Sequence, residues 1–272
     1  MSKIDLIRNE IFNFLDQKVL EFSSIRNYSL SILDELSKFN KSHIYTELLE
    51  LILQLFIKHK EVYIEDFIGK YIENNRELNS NLEQFFTPDN IVDFMWDLSL
   101  ESYEDDGKDF IAILDPACGT GRFFISFYKK QFNNYLKTLE NIEIKSENSD
   151  ELEKEIKESF DKINPFKKNI LFYSIDIDLS MFAINIIQSL IFSKIYPFTL
   201  SDKKIFHTVV FGNTLLGDFR DYYTISDGYL IKSEKFYNFL VESYKKGGLN
   251  EQINNRNKKN KKSTDSQKEL FN

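Results

Sequence analysis

Apolar residues recur with a helical period through the first third of the chain. Ile4, Ile7, Ile11, Phe14 and Leu15 share one face, and Ile25, Leu30, Leu33 and Leu36 share another. Leu48, Leu49, Leu51, Ile52, Leu55 and Phe56 are dense enough for a buried helix. Gly69 is the only breaker in residues 1–80, so the pattern predicts an N-terminal helical domain over that span. The period then shortens. Apolar runs at 110–114, 169–175 and 205–211 have strand length, and each leads into a polar or glycine-containing turn. Helical patterns lie between them, one running from Arg122 to Leu139 and one marked by Met181, Phe182, Ile184, Ile187, Leu190 and Ile191. Strands alternating with helices predict an α/β domain over 81–248.

Two stretches interrupt this alternation. Residues 140–166 are dense in Glu and Lys and read as a charged insertion in the crossover between the first two strands. Residues 249–272 are rich in Asn and Lys and read as a disordered polar tail.

The strand ends hold the candidate chemistry. Phe110–Leu114 runs into Asp115, then into the small-residue turn Pro116-Ala117-Cys118-Gly119-Thr120-Gly121 and a helix start at Arg122. Glycines there let the backbone approach a ligand closely, and ligands bind at the carboxyl ends of strands in such sheets. The second strand ends in Asp176, suited to the two hydroxyls of a ribose, with Ile177 placed to pack on an adenine ring. Asp178 is better explained as the cap of the next helix. The third strand ends in Gly212-Asn213. Upstream, Thr87-Pro88 reads as a helix start, the hydroxyl capping amides and the proline at the first helical position. Ile91, Val92, Met95 and Leu98 form the apolar face of that helix. His43, His59 and His207 are read as structural.

Charge changes the picture of any nucleic-acid role. The net charge is −8, and without residues 251–272 it is −11, from 29 basic against 40 acidic side chains. An acidic body grips a duplex poorly by itself, because non-specific affinity comes from phosphate neutralisation. A single cysteine, Cys118, excludes an internal disulfide framework, and with three scattered histidines it gives no zinc-ligand spacing. A charged start and the absence of any long apolar run lead to the expectation of a cytoplasmic chain with no membrane partner.

Four segments in order resemble the S-adenosylmethionine-dependent adenine-N6 DNA methyltransferases, type I modification subunits and fused restriction–methylation enzymes among them. They are Phe85-Phe86-Thr87-Pro88, Asp115-Pro-Ala-Cys-Gly-Thr-Gly121, Ile175-Asp-Ile-Asp178 and Gly212-Asn-Thr-Leu215, spanning about residues 81–218. The resemblance implies a Rossmann-like methyltransferase sheet and S-adenosylmethionine as cofactor. It places Phe86 and Thr87 at the methionine end of the cofactor, Asp115, Ala117 and Gly119 in the loop beneath it, Asp176 and Ile177 at the adenosine, and Asn213 near the adenine amino group. Arg122 stands where a small residue is usual and is expected to reach outward.

The family's catalytic element, (Asn/Asp/Ser)-Pro-Pro-(Tyr/Phe), should follow on the next strand. The four prolines are Pro88, Pro116, Pro165 and Pro197, with no Pro-Pro pair among them. Asn164-Pro165-Phe166 precedes the second strand and has the wrong topology. The sheet is therefore expected to be incomplete, with no catalytic and no metal-binding residue on this chain. The reading that follows is a cofactor-binding subunit or fragment of a restriction-modification or phage-defence methyltransferase, inactive alone. A partner chain would carry the catalytic element and target recognition, and DNA would be engaged through the complex. The alternative is a non-catalytic, methyltransferase-like module for assembly or cofactor sensing.

Overall fold

The computed structural model describes residues 2–39, 41–60, 62–75, 87–101, 110–141, 169–195 and 205–245. The chain forms two compact units, residues 1–232 and 233–272. In the first, α1 (Lys3–Phe22), α2 (Ile25–Phe39), α3 (His43–His59), α4 (Phe67–Asn74) and α5 (Asp89–Glu101) precede the sheet. Then come β1 (Phe110–Asp115), α6 (Arg122–Asn141), β2 (Asn169–Asp176), α7 (Leu179–Ile195), β3 (Ile205–Asn213), β4 (Asp218–Ser226) and β5 (Tyr229–Ile231). The second unit contributes α8 (Glu234–Lys245). The three strands expected from the apolar runs are β1, β2 and β3. The expected boundaries near 80 and 248 fall outside the described residues, as does the charged insertion apart from its first residues, which close α6.

Local chemistry starts the N-terminal helices. Ser2 and Asp5 form a reciprocal capping box on α1, with Asp5 N donating to Ser2 Oγ at 3.1 Å and Ser2 N donating to Asp5 Oδ2 at 3.0 Å. Ser42 caps α3 by accepting from Tyr45 N at 3.1 Å, and Asp66 caps α4 by accepting from Gly69 N at 2.8 Å.

The strands lie in the order β1-β2-β3-β4-β5. The first three are parallel, with Asp115 opposite Ser174 and Asp176 opposite Phe211. The glycine turn, the Asp176–Ile177 corner and Asn213 therefore share one end of the sheet. β4 returns antiparallel to β3 and β5 to β4. The β4–β5 turn is the pair Asp227-Gly228, with φ of 51° and 77°, the positive values a two-residue hairpin turn requires. The sheet is thus mixed, with two antiparallel strands that the hydrophobic pattern did not reveal.

Helix α7 is the centre of the core. Every residue from Ser180 to Ser193 is buried. Strands β2, β3 and β4 pack against it, together with α6, and α2 and α3 reach it from the N-terminal part of the chain. A helix apolar on all sides is stable only when covered on all sides. The N-terminal helices provide that cover, so Ile7, Ile11, Tyr28, Leu48, Phe182 and Phe172 belong to one continuous set of buried side chains.

Helix α5 departs from expectation in two respects. Pro88 lies just ahead of its first residue, and the Pro88 carbonyl, not the Thr87 hydroxyl, meets the amides of Ile91 and Val92, at 3.0 and 3.1 Å. Of its expected apolar face only Val92 is buried. Val92 and Trp96 are buried, while Ile91, Phe94, Met95 and Leu98 are 44–57% exposed. Trp96 decides the orientation: its ring stacks on Phe123 at 4.3 Å and its Nε1 donates to the Phe123 carbonyl at 2.8 Å. Asp93 adds a hydrogen bond from Ser126 Oγ at 2.5 Å. Among the described residues, no helix is long and apolar enough to cross a membrane.

Candidate cofactor-binding site

The turn after β1 is shaped by two glycines at positive φ, Gly119 at 52° and Gly121 at 91°. They are not interchangeable. A Cβ on Gly121 would lie 2.7 Å from Asn185 Oδ1, so that glycine lets the turn sit on α7. A Cβ on Gly119 would meet nothing within 4 Å, so that glycine faces open space. The turn is held from beneath by Cys118 N donating to the Ile175 carbonyl at 3.0 Å and by Thr214 Oγ1 donating to the Pro116 carbonyl at 2.7 Å. Cys118 is buried, and burial pushes its thiol well above the ordinary range, which leaves it without nucleophilic character.

Two carboxylates flank this turn. Asp115 ends β1; burial above all raises its pKa, the Ala117 amide opposes that, and the Asp176 charge adds to it, giving about 6. Asp176 ends β2 and is raised in the same direction by burial, against the amides of Asp178 and Gly119, each 2.8 Å from one of its oxygens. Neither carboxylate has an ion-pair partner among the described residues. Two acids held close without a counter-charge form a site that gains from a cationic or hydroxyl-rich ligand. Asp178 accepts from the amides of Ser180 and Met181 at 2.6 and 3.3 Å and is a helix cap, as its position suggested.

Beside the turn lies a cleft of about 290 Å³, lined by Thr87, Met95, Leu114, Asp115, Ala117 and Gly119 among others. It brings together four of the eight residues singled out from the sequence. Asp176 adjoins it through Gly119, and Ile177, 61% exposed, stands at the same sheet end. Asn213 is at that end too, but its side-chain oxygen accepts from the amides of Leu215 and Leu216, at 3.0 and 3.2 Å. That oxygen closes a turn, and only the side-chain amide nitrogen remains to face a ligand. Phe86 lies outside the described residues, as does Asn164-Pro165-Phe166. His207, inside β3, is buried, hydrogen-bonded to Ser174 Oγ at 2.7 Å and held neutral by burial, which is a structural role.

Sequence reasoning missed the layer under the turn. Asp66 is buried and accepts four hydrogen bonds: from Gly69 N at 2.8 Å, Gln188 Nε2 at 2.8 Å, Thr120 Oγ1 at 2.6 Å and Arg122 Nε at 3.0 Å. Gln188 also donates to the Thr120 carbonyl at 2.9 Å, and Asn185 donates to Cys118 Sγ at 3.1 Å. Arg122 does not reach outward. It turns in, and its Nη1 donates to Glu73 and to the Thr87 carbonyl, both at 2.9 Å. The legible signal was the spacing of Asn185, Gln188 and Ser189, polar residues one helical turn apart inside an otherwise apolar helix.

Residues 61–165 match the N-6 DNA methylase family. Over that segment the chain is similar to the adenine-N6 DNA methyltransferases. The matched segment takes in Asp66, Thr87, β1, the glycine turn and Arg122, and stops before Asp176 and Asn213. No curated protein and no solved structure matches the chain. The similarity thus covers the first strand and its turn on a mixed α/β sheet.

Proposed function

We propose that this chain is a DNA adenine-N6 methyltransferase subunit that binds S-adenosylmethionine at the β1–β2 end of its sheet and completes methyl transfer only with a partner chain. The observation that carries the cofactor reading is the pairing of an open glycine turn with two uncompensated carboxylates. S-adenosylmethionine bears a positive sulfonium and ammonium, two ribose hydroxyls and an adenine, and the donor and acceptor set fits it. Asp176 would accept from the ribose hydroxyls while keeping its amide contacts. Ile177 would pack on the adenine, and the Asn213 amide nitrogen would donate to a ring nitrogen. Asp115 would face the cationic end, and Ala117 and Gly119 would bring backbone close to it. Phe86 and Thr87 would cover the methionine end. When bound, the cofactor supplies an electrophilic methyl group; the chain's own residues hold it and exclude water.

The partner reading rests on what the 272 residues lack and what they expose. No Pro-Pro pair occurs in the 272 residues, so the element that the family resemblance leads one to expect is not found in this sequence. Strand β1 pairs only with β2 among the described strands, and Leu114 on it is 40% exposed beside the apolar face of α5. An apolar surface next to a cleft supports the reading of a protein contact. The partner would bring the activating element, base recognition and much of the grip on phosphate, in a restriction-modification or phage-defence complex. The test is methyl transfer from labelled S-adenosylmethionine to adenine-containing duplex, by this chain alone and with the product of the adjacent gene. Transfer only by the pair supports the reading; transfer by the isolated chain overturns the partner requirement.

A further inference from the structure

We infer that Arg122 is a positioning residue that sets the Thr87–Pro88 turn over the methionine end of the site, a claim that rests on the cofactor reading above. The guanidinium is the meeting point of three segments. Its Nε is 3.0 Å from Asp66 at the start of α4, and its Nη1 is 2.9 Å from Glu73 in the same helix and 2.9 Å from the Thr87 carbonyl. Asp89, at the start of α5, is 3.6 Å from Nε. The Arg122 side chain is 9% exposed. Burial works against its charge, but Glu73 and Asp66 outweigh it and hold the pKa above the ordinary value.

Two features turn this cluster from a structural tie into a device that acts on the ligand. First, Arg122 directly follows Gly121, so the residue that ends the glycine turn also grips the segment facing it. Second, the acceptor at Thr87 is a backbone carbonyl. Fixing that carbonyl fixes the plane of the Thr87–Pro88 peptide and with it the position of the Thr87 Cα that carries the side chain. With the carbonyl turned to Arg122, Thr87 remains exposed and lines the cleft, and its hydroxyl makes no hydrogen bond to a described residue. A lysine, a point charge on a flexible stem, lacks the planar fork that spaces the Asp66 and Thr87 contacts.

The test compares two ligands by calorimetry on the full chain: S-adenosylmethionine, and 5′-methylthioadenosine, which lacks the amino-acid end. Arg122→Met should weaken S-adenosylmethionine by about tenfold, equivalent to one charge-assisted hydrogen bond, and leave methylthioadenosine nearly unchanged. Arg122→Lys should retain the melting temperature better than Arg122→Met and fail to restore S-adenosylmethionine affinity. Should Arg122→Met not fold, Glu73→Ala at a half-exposed position provides the same comparison, with loss again confined to the methionine-bearing ligand. Equal weakening of both ligands, or unchanged binding of both in all variants, overturns the positioning role. No binding of either ligand by the unaltered chain overturns the cofactor reading and this inference with it.

Discussion

The two flanks of the sheet are finished to different degrees. On the β3 flank, α7 is buried along its length between strands and N-terminal helices. On the β1 flank, α5 turns Trp96 inward and leaves Ile91, Phe94, Met95 and Leu98 facing out, next to a cleft lined by polar turn atoms. The first flank has the burial of a domain interior, and the second leaves large apolar side chains exposed. The difference teaches that stability and chemistry are divided across the sheet. The N-terminal helices are spent on covering α7, and the same helices send Asp66 and Glu73 under the glycine turn.

The largest effect expected from this division is on the buried flank. Phe182→Ala removes a fully buried ring between α7 and the sheet and should cost about 3–5 kcal/mol in urea unfolding. A loss near zero would mean that α7 is not the shared core. On the cleft flank, Asp176→Ala should cost roughly 1.5–3 kcal/mol in S-adenosylmethionine affinity, from lost charge-assisted hydrogen bonds. Unchanged calorimetric affinity would reject the ribose assignment.

A pH series sharpens the contrast further. Asp115 is raised to about 6 from an ordinary 3.8, so it favours the folded chain most while protonated. The stability it contributes is present below about 4 and is lost as pH rises through about 6. Ligand affinity has the opposite sign, because only the ionised carboxylate attracts a cation. S-adenosylmethionine should therefore bind more tightly as pH rises from about 5 to 7.5, by roughly tenfold, and Asp115→Asn should flatten both profiles. The smallest effect belongs to the exposed face of α5. Phe94→Ser should change unfolding free energy by no more than about 0.5 kcal/mol while weakening capture of the partner. A large loss of stability there would show that this face is already covered.

Much of this was legible in the chain because the β1, β2 and β3 runs are short, apolar and closed by distinctive turns. The β1 and β2 bounds coincide with the expected runs, and Asp178 is the cap it was read to be. Strands β4 and β5 were missed because Tyr222, Tyr223 and Tyr229 alternate weakly, although Asp227-Gly228 is itself a hairpin signal. The burial of α5 was misjudged at Ile91, Met95 and Leu98 because periodicity ranks faces by hydrophobicity, whereas one stacked Trp96 and its hydrogen bond turned the Val92–Trp96 edge inward. Arg122 was misjudged for a deeper reason. Its partners Asp66, Glu73 and Thr87 lie far away in sequence, and no local pattern reports a network assembled across segments.

The central claim is that this sheet end is a cofactor site, and titration of the full unaltered chain with S-adenosylmethionine at neutral pH tests it most directly. The account predicts saturable binding to one site per chain, abolished or strongly weakened in Asp176→Ala. No binding at millimolar cofactor would contradict it.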